Sequence, residues 1–370
     1  MRTESSEKLR YENKAVRSYM IDMLIMLTAT AVVAIYTYGA RSAQIIILSV
    51  ISSIAAEIIS YAVFMRRKPT RIADLSTVFT GLAIALAMPS SSPLWLAPLG
   101  SVVAICIAKL PFGNAKSGIF VPAAVGIAFL VISYPDLVFT YPSVSLGSLD
   151  APTFSDGFVQ GTSLAQMLTH SKSIGTNVLN VMDVFVGRVS GPMGASCFIL
   201  MLATFIYMLI RRQPGFITTA SFIAACSVMA VLFPRVLTGR VYSLLMELSA
   251  GLLLYSAVFF ISDPTTSPKN QLGRVLYGAC AGFATMLFRY FGAFEEGVCF
   301  VIIIMNAFSD LFEKCGLLLS GKVQKKSGNS SKNNTNKNNT NRKKETTHKK
   351  KRSLKADSTN SNEGGILDHE

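Results

Sequence analysis

Four carboxylates lie within or at the ends of apolar runs, where a charged side chain is unusual: Glu57, Asp74, Glu247 and Asp310. A charge at the centre of a membrane helix costs about 2.5 to 3.5 kcal/mol on insertion scales, so such residues tend to be paired or functional. As functional groups they would form part of a path for a cation or a proton. The alternative is that each carboxyl caps or hydrogen-bonds a neighbouring helix, and the sequence leaves both open.

A second group of candidate residues lies in the only long polar segment, which runs from about Tyr134 to Ser190. Its centre reads DGFVQGTSLAQML, beginning at Asp156 and containing Thr162 and Ser163. Taken by itself, a Gly-Thr-Ser sequence in a polar loop is a turn or a helix cap. The residues of this segment alone therefore do not indicate a function.

Other residue types that commonly build cofactor sites are dispersed along the chain. The three histidines form no cluster, and no two cysteines have Cys-x-x-Cys spacing. This pattern argues against a zinc or iron-sulfur site made by this chain alone and favours cysteines acting as small buried hydrophobes. No glycine-rich loop follows a strand, so no NAD site is predicted.

Composition identifies the elements that position these residues as membrane helices. The 370-residue chain is 51% hydrophobic and 15% charged, which a soluble domain of this size would not normally show. The net charge of +14 is concentrated after residue 320, where thirteen basic residues face five acidic ones. This tail has little to bury, so we expect it to be disordered and weakly attracted to anionic lipid headgroups, with no nucleic-acid role.

About ten apolar runs are long enough to be membrane spans, since a hydrocarbon core of about 30 Å takes roughly 20 helical residues. The predicted fold is therefore an all-α polytopic membrane protein. The first run is too long for a signal-peptide core and should remain as a helix. The predicted spans are 18–38, 43–65, 72–88, 93–110, 117–134, 191–210, 215–233, 240–262, 272–290 and 295–314.

Basic residues in the short loops predict the orientation, because cytoplasmic loops collect Lys and Arg. With the N-terminus inside, the inside loops hold Arg66, Arg67, Lys68, Arg71, Lys109, Lys116, Arg211, Arg212, Lys269 and Arg274. Arg235 and Arg240 are exceptions to the pattern. Both termini are thus predicted to be cytoplasmic. The predicted divisions are a 1–17 N-terminal segment, five helices in 18–134, an extracytoplasmic loop in 135–190, five helices in 191–314 and a 315–370 tail.

The long loop divides the spans five and five, which suggests an internal repeat. DLSTVFTGLAIALAMP, from Asp74, and ELSAGLLLYSAVFFISDP, from Glu247, share an acid-Leu-Ser opening, a following Gly and a Pro at the helix end. A Phe-Gly pair follows each, some thirty residues after Gly81 and about forty after Gly251. An odd number of spans per repeat makes the two copies inverted, as in many proteins that move a substrate at the repeat interface. Chance similarity between Gly-rich helices is the alternative.

Several stretches resemble one family. DPTTSPKNQLGRVLYGACAGFATMLFRYFGAFEEGVCFVIIIMNAFSDLFE resembles the end of the D subunit of the Rnf electron-transport complex, with its Asp-Pro-x-Thr-x-Pro, Gly-Arg, Arg-x-Phe-Gly and late Met-Asn. The similarity extends to FTGLAIALAMPSSSPLW, AKLPFGNAKSGIFVPAAVGIAFLVISYP and VGRVSGPMGASCFILMLATFIYMLIRR. It covers most of residues 72 to 314 in order. The related B subunit of the sodium-translocating NADH:quinone reductase shares these features less closely.

The resemblance implies a covalent FMN. In that family a flavin transferase esterifies FMN phosphate to a threonine in the central outward loop, in a motif that begins with Asp. Asp156 and Thr162 have the corresponding six-residue spacing, and Ser163-Leu164 completes the motif. Thr162 is the implied acceptor and Ser163 the fallback.

The motif departs from the family pattern at three positions. Val159 stands where a hydroxyl residue is usual, Gln160 where Gly is usual, and Gly161 where Ala is usual. These departures bear on recognition by the transferase.

The resemblance also implies a function and partners. The chain would be a membrane component of a bacterial inner-membrane translocase that links electron transfer between ferredoxin and NAD to movement of Na⁺ or H⁺. Its partners would be the A and E membrane subunits, the flavin-bearing G subunit and the peripheral B and C subunits, with the nicotinamide and iron-sulfur sites on these other chains. The alternative from another class is a solute channel or secondary transporter without flavin, since inverted repeats also build such proteins.

Overall fold

The computed structural model describes residues 2–63, 75–112, 118–142, 160–170, 181–187, 189–235, 239–292 and 296–320. These ranges are mainly helical, as membrane-spanning segments must be when lipid offers no hydrogen-bond partner to the backbone. The helices are α1 (Arg2–Tyr38), α2 (Ala40–Val63), α3 (Leu75–Ala87), α4 (Leu96–Val103, continuing as a π-helical segment Ala104–Lys109), α5 (Pro122–Ser133), α6 (Pro135–Val138), α7 (Leu164–His170), α8 (Val181–Val186), α9 (Phe198–Ile210), α10 (Phe216–Leu232), α11 (Arg240–Ser249), α12 (Leu253–Phe259), α13 (Gln271–Phe291), α14 (Val298–Ala307) and α15 (Ser309–Leu319).

Two short strands lie in the segment predicted as the long polar loop. Strand β1 (Tyr141–Pro142) pairs antiparallel with β2 (Gln160–Gly161). Tyr141 is opposite Gly161, and Pro142 is opposite Gln160. This pairing fixes the backbone immediately before Thr162.

Two helices are long and apolar enough to cross a membrane by themselves among the described residues, Val16–Tyr38 and Ala40–Ala62. The pair α11 and α12 makes a third span if it is counted as one bent helix. Several other predicted spans coincide with shorter apolar helices of 10–17 residues. The protein is therefore a helical membrane protein, and the arrangement of ten spans stays a prediction.

The predicted span 240–262 is bent by 60° between α11 and α12. Gly251 has a φ of +59° at the break, a conformation that glycine adopts without a side-chain penalty. The Leu252 N–H donates to both carboxylate oxygens of Glu296, at 3.0 and 2.9 Å, and Arg289 Nη2 donates to the Ala250 carbonyl. Charged side chains thus satisfy backbone groups that the break removes from the helix.

One end of the helix bundle is formed by the α1–α2 turn, the segment after α3 and the turn before α9. Arg41 donates from Nε to the Ser90 carbonyl at 3.2 Å and from Nη2 to the Ser92 carbonyl at 3.1 Å. The Tyr38 hydroxyl donates to the Gly191 carbonyl at 3.5 Å. These three turns therefore lie together.

The opposite end is formed by the start of the first predicted span in α1, by the α9–α10 turn and by the segment after α12. The Tyr19 hydroxyl lies 3.2 Å from Ser262 Oγ. Arg274 Nη1 donates to the Pro214 carbonyl at 2.6 Å. Because Tyr19 and Tyr38 lie at the two ends of the first predicted span, the two groups of turns lie at opposite ends of the bundle.

The two halves of the chain have similar packing. Helix α2 packs against α3 and α4, and α10 packs in the same order against α11 and α13. The Tyr255 hydroxyl donates to the Ala83 carbonyl at 2.9 Å, and the Phe79 and Phe259 rings are 6.5 Å apart, so α3 and α12 run antiparallel. A Pro-x-x-Ser-Pro sequence follows each of these helices, at 89–93 and 264–268. This similarity supports the inverted repeat, which remains a prediction.

The GxxxG sequence of α13 lies against α10. A Cβ on Gly278 would overlap Ser221 Oγ and the Thr218 carbonyl, and a Cβ on Gly282 would lie 2.6 Å from the Phe222 carbonyl. The two glycines therefore allow the backbones of α10 and α13 to approach closely, as small residues do in membrane proteins.

Candidate functional site

Thr162 lies between β2 and α7, and its side chain is exposed. The next residue, Ser163, is buried, with 2% of its surface exposed. Asp156 and Val159 of the predicted motif lie outside the described residues. Of the two candidate acceptors, Thr162 is thus the one open to solvent.

Ser163 begins α7 with a capping box, in which a side chain and a backbone exchange hydrogen bonds. The Gln166 N–H donates to Ser163 Oγ at 3.1 Å, and the Ser163 N–H donates to Gln166 Oε1 at 3.0 Å. Gln166 Nε2 also donates to the Phe139 carbonyl at 2.7 Å. The Ser163 hydroxyl is therefore used in starting the helix, the role that the sequence assigned to Gly-Thr-Ser without the family resemblance.

Ser190 lies against Gly161 of β2. A Cβ on Gly161 would overlap Ser190 Oγ and would lie 3.0 Å from the Pro142 carbonyl. The motif's departure from Ala at this position is thus matched by a serine that takes the space of the missing methyl group.

Helix α7 packs against the bent pair of helices. Leu164, Ala165 and Leu168 are buried in one small apolar cluster with Met246 of α11 and Ala250 at the break. The segment that bears Thr162 therefore lies against α11 and the break that follows it.

Glu247 is buried in α11 and is held by two arginines. Arg235 binds it with a two-pronged contact, Nε to Oε1 at 2.6 Å and Nη2 to Oε2 at 2.9 Å. Arg289 Nη1 lies 3.4 Å from Glu247 Oε2 and donates to the Glu247 carbonyl at 2.9 Å. Arg235, an exception to the charge pattern of the loops, thus neutralises a buried carboxylate.

Glu57, another of the four predicted acids, is buried and is held by Lys109 and Thr77. Lys109 Nζ lies 2.7 Å from Glu57 Oε1, and the Thr77 hydroxyl donates to Glu57 Oε2 at 2.5 Å. Lys109 also donates to the Thr77 hydroxyl. The assignment of Lys109 to an inside loop is wrong: Lys109 ends the π-helical segment and is 1% exposed. A partner carboxylate from α2, distant in sequence, explains why this lysine is buried.

The structure does not bring together the three predicted carboxylates that it describes. Glu57 and Glu247 have different partners, Asp310 is exposed in the first turn of α15, and Asp74 lies outside the described residues. An acid in the first turn of a helix is stabilised by the helix dipole, so the position of Asp310 fits the capping alternative.

Besides Glu296 at the helix break, the sequence interpretation missed a second buried acid, Asp22 of α1. It accepts hydrogen bonds from Arg211, with Nη2 at 3.0 Å from Oδ1, and from Gln213 Nε2. The hydrogen bond from the Arg211 guanidinium to Asp22 raises the pKa of that arginine. Asp22 lies within an apolar run as Glu57 does, so the same signal could have identified it.

Known proteins give a consistent assignment. The model of the NQR2, RnfD, RnfE family matches residues 4–316. The chain is 27% identical to the D subunit of the proton-translocating ferredoxin:NAD(+) oxidoreductase complex of Clostridium ljungdahlii, over 82% of this chain and 90% of the relative. It is 26% identical to the Na(+)-translocating counterpart of Acetobacterium woodii, over 84% and 92%, and 27% identical to the D subunit of the ion-translocating oxidoreductase complex of Escherichia fergusonii, over 80% and 92%. This chain belongs to the NQR2, RnfD, RnfE family.

Proposed function

We propose that this chain is the D-type membrane component of an Rnf-like, redox-driven ion-translocating oxidoreductase. The family match over most of the chain and the names of the relatives support this assignment. The relatives are named for different coupling ions, H⁺ in one and Na⁺ in the other, so similarity leaves both ions open. The chain would act only within the complex, together with the A, B, C, E and G subunits.

Within this function, Thr162 carries FMN through a phosphoester formed by a flavin transferase. The observation that supports it is the contrast between two adjacent hydroxyls: Thr162 is exposed, whereas Ser163 is buried and engaged in a helix cap. An exposed acceptor leaves room for the transferase and for the flavin. The bound flavin would accept two electrons and release them singly, while the protein fixes its position and electrostatics.

Glu57 and Glu247 are the ion-path candidates that the packing favours, because both are buried charges in the helices of a membrane protein. Their partners differ in one chemical respect. A buried lysine can release its proton, whereas an arginine stays charged. The Glu57–Lys109 pair is therefore the better candidate for an ion path, and the Glu247 cluster is better suited to holding structure. Asp74 and Asp310 remain weaker candidates.

The proposed topology has ten spans as two inverted five-helix repeats, with cytoplasmic N- and C-termini. The separation of basic and uncharged turns to opposite ends of the bundle supports this topology. The α9–α10 turn, with Arg211 and Arg212, lies at the same end as the segment after α12, with Lys269. The uncharged Ser90–Ser92 segment lies at the other end, near the start of α9. The basic tail after residue 320 would then lie near the anionic lipids of the cytoplasmic face.

The alternative function is that of a channel or secondary transporter without flavin. Flavin separates the two, because a passive channel has no use for a redox cofactor. The test is to express the chain with a flavin transferase, denature it and look for yellow-green fluorescence at its position in the gel. Fluorescence supports the redox function, and its absence from a well-folded, transferase-treated protein would favour the transporter.

A further inference from the structure

Arg235 connects residues 160–170, here called the Thr162 segment, to the bent helix pair α11–α12. It follows α10 and binds the Glu247 carboxylate through Nε and Nη2. Its remaining nitrogen, Nη1, donates to the Leu168 carbonyl of α7 and to the Arg289 carbonyl of α13, both at 3.3 Å. The guanidinium also lies 4.6 Å from the centre of the Tyr290 ring. The Arg235 side chain therefore contacts three helices: α7, α11 and α13.

The contact with Leu168 matters because α7 is short. A seven-residue helix is marginal alone and depends on what holds its ends. Its first turn is held by the Ser163–Gln166 capping box, and the Leu168 carbonyl, further along the helix, accepts a hydrogen bond from Arg235. A cation is favourable near the carbonyl groups at the C-terminal side of a helix. Arg235 therefore holds α7 beyond the turn that Ser163 begins.

Neutralising the Glu247 carboxylate does not by itself require Arg235 to contact α7. Arg289 already lies beside Glu247 and also donates to the Ala250 carbonyl at the break. The planar fork of Arg235 can bind the carboxylate and still direct a third N–H at α7, which a lysine ammonium at the same place could not do as well.

We propose that Arg235 is a positioning residue that fixes the Thr162 segment to the α11–α12 break through Glu247. The proposal rests on the proposed function only for the meaning of Thr162, since the contacts themselves involve no flavin. Displacement of Glu247, or a change at the break, is transmitted through Arg235 to the helix that begins beside the flavin attachment residue.

The test is hydrogen–deuterium exchange of the purified, flavin-free full chain, followed in peptides covering 160–170. Arg235→Gln should increase exchange in these peptides by about tenfold, in line with the loss of hydrogen bonds to a charged group. Arg235→Lys keeps a positive charge beside Glu247 and should still loosen 160–170, while peptides of α11 and α12 stay protected. Glu247→Gln should loosen 160–170 as well. Arg240→Lys, the same substitution at a nearby exposed arginine, should change nothing.

Wild-type exchange in 160–170 for Arg235→Lys would overturn the proposal, because Arg235 would then serve only to neutralise Glu247. Wild-type exchange for Glu247→Gln would equally remove the link to the break. A second readout uses the flavinylated protein, in which Arg235→Lys should lower the fluorescence anisotropy of FMN on Thr162. If the wild type carries no flavin, the proposed function fails, and the exchange experiment still decides the role of Arg235.

Discussion

Lys109 and Glu57 form a buried ion pair, with 2.7 Å between Nζ and Oε1 and at most 5% of either side chain exposed. Removing one partner of such a pair leaves an uncompensated charge. Glu57→Gln or Lys109→Met should each lower the stability of the protein by about 3 to 5 kcal/mol, seen as a lower midpoint of thermal unfolding in detergent.

The double variant Glu57→Gln/Lys109→Met should recover most of that loss, because no charge remains unpaired. Asp310→Asn, at an exposed acid, is the matched control and should unfold near the wild-type temperature. Additive losses in the double variant would show that the two side chains do not act as a pair.

The break between α11 and α12 depends on Gly251. Alanine at this position would be held at a positive φ, at a cost of roughly 1 to 2 kcal/mol, and its Cβ would also lie 2.9 Å from Glu296 Cδ. We therefore expect Gly251→Ala to lower the unfolding midpoint clearly. Gly191→Ala is the matched control, since a Cβ there meets no atom within 4 Å. Equal midpoints for the two variants would argue against a strained break.

Gly161 and Ser190 should be coupled in flavin attachment. Gly161→Ala restores the residue usual in the family motif, yet its Cβ would overlap Ser190 Oγ, so flavin incorporation should fall. The double variant Gly161→Ala/Ser190→Gly removes the overlap and should regain incorporation, measured as flavin fluorescence per protein. If Gly161→Ala alone improves incorporation, the strand pair does not constrain the acceptor as we describe.

Hydropathy predicted where most of the described helices lie along the chain, because apolar runs and prolines mark where helices lie and end. It did not predict the bend at Gly251, since ELSAGLLLYSAVFF reads as one continuous apolar run. The backbone groups freed there are satisfied by Arg289 and Glu296, which lie about forty residues further along the chain.

The ion pairs could be anticipated only in part. Sequence identified Glu57 and Glu247 as unusual acids, but the partner of a buried acid is set by tertiary packing. Lys109 is 52 positions from Glu57 in sequence and looked like a loop charge. Only the family resemblance indicated Thr162 as the candidate flavin acceptor. The capping role of Ser163 follows from local sequence alone.

Attachment of FMN to Thr162 is tested by the mass of the peptide containing residue 162 after expression with a flavin transferase. We expect a peptide heavier by one FMN phosphoester. The added mass should be lost in Thr162→Ala and kept in Ser163→Ala, whose buried hydroxyl serves the helix cap. An unmodified wild-type peptide, or added mass that follows Ser163, would show that Thr162 is not the flavin acceptor.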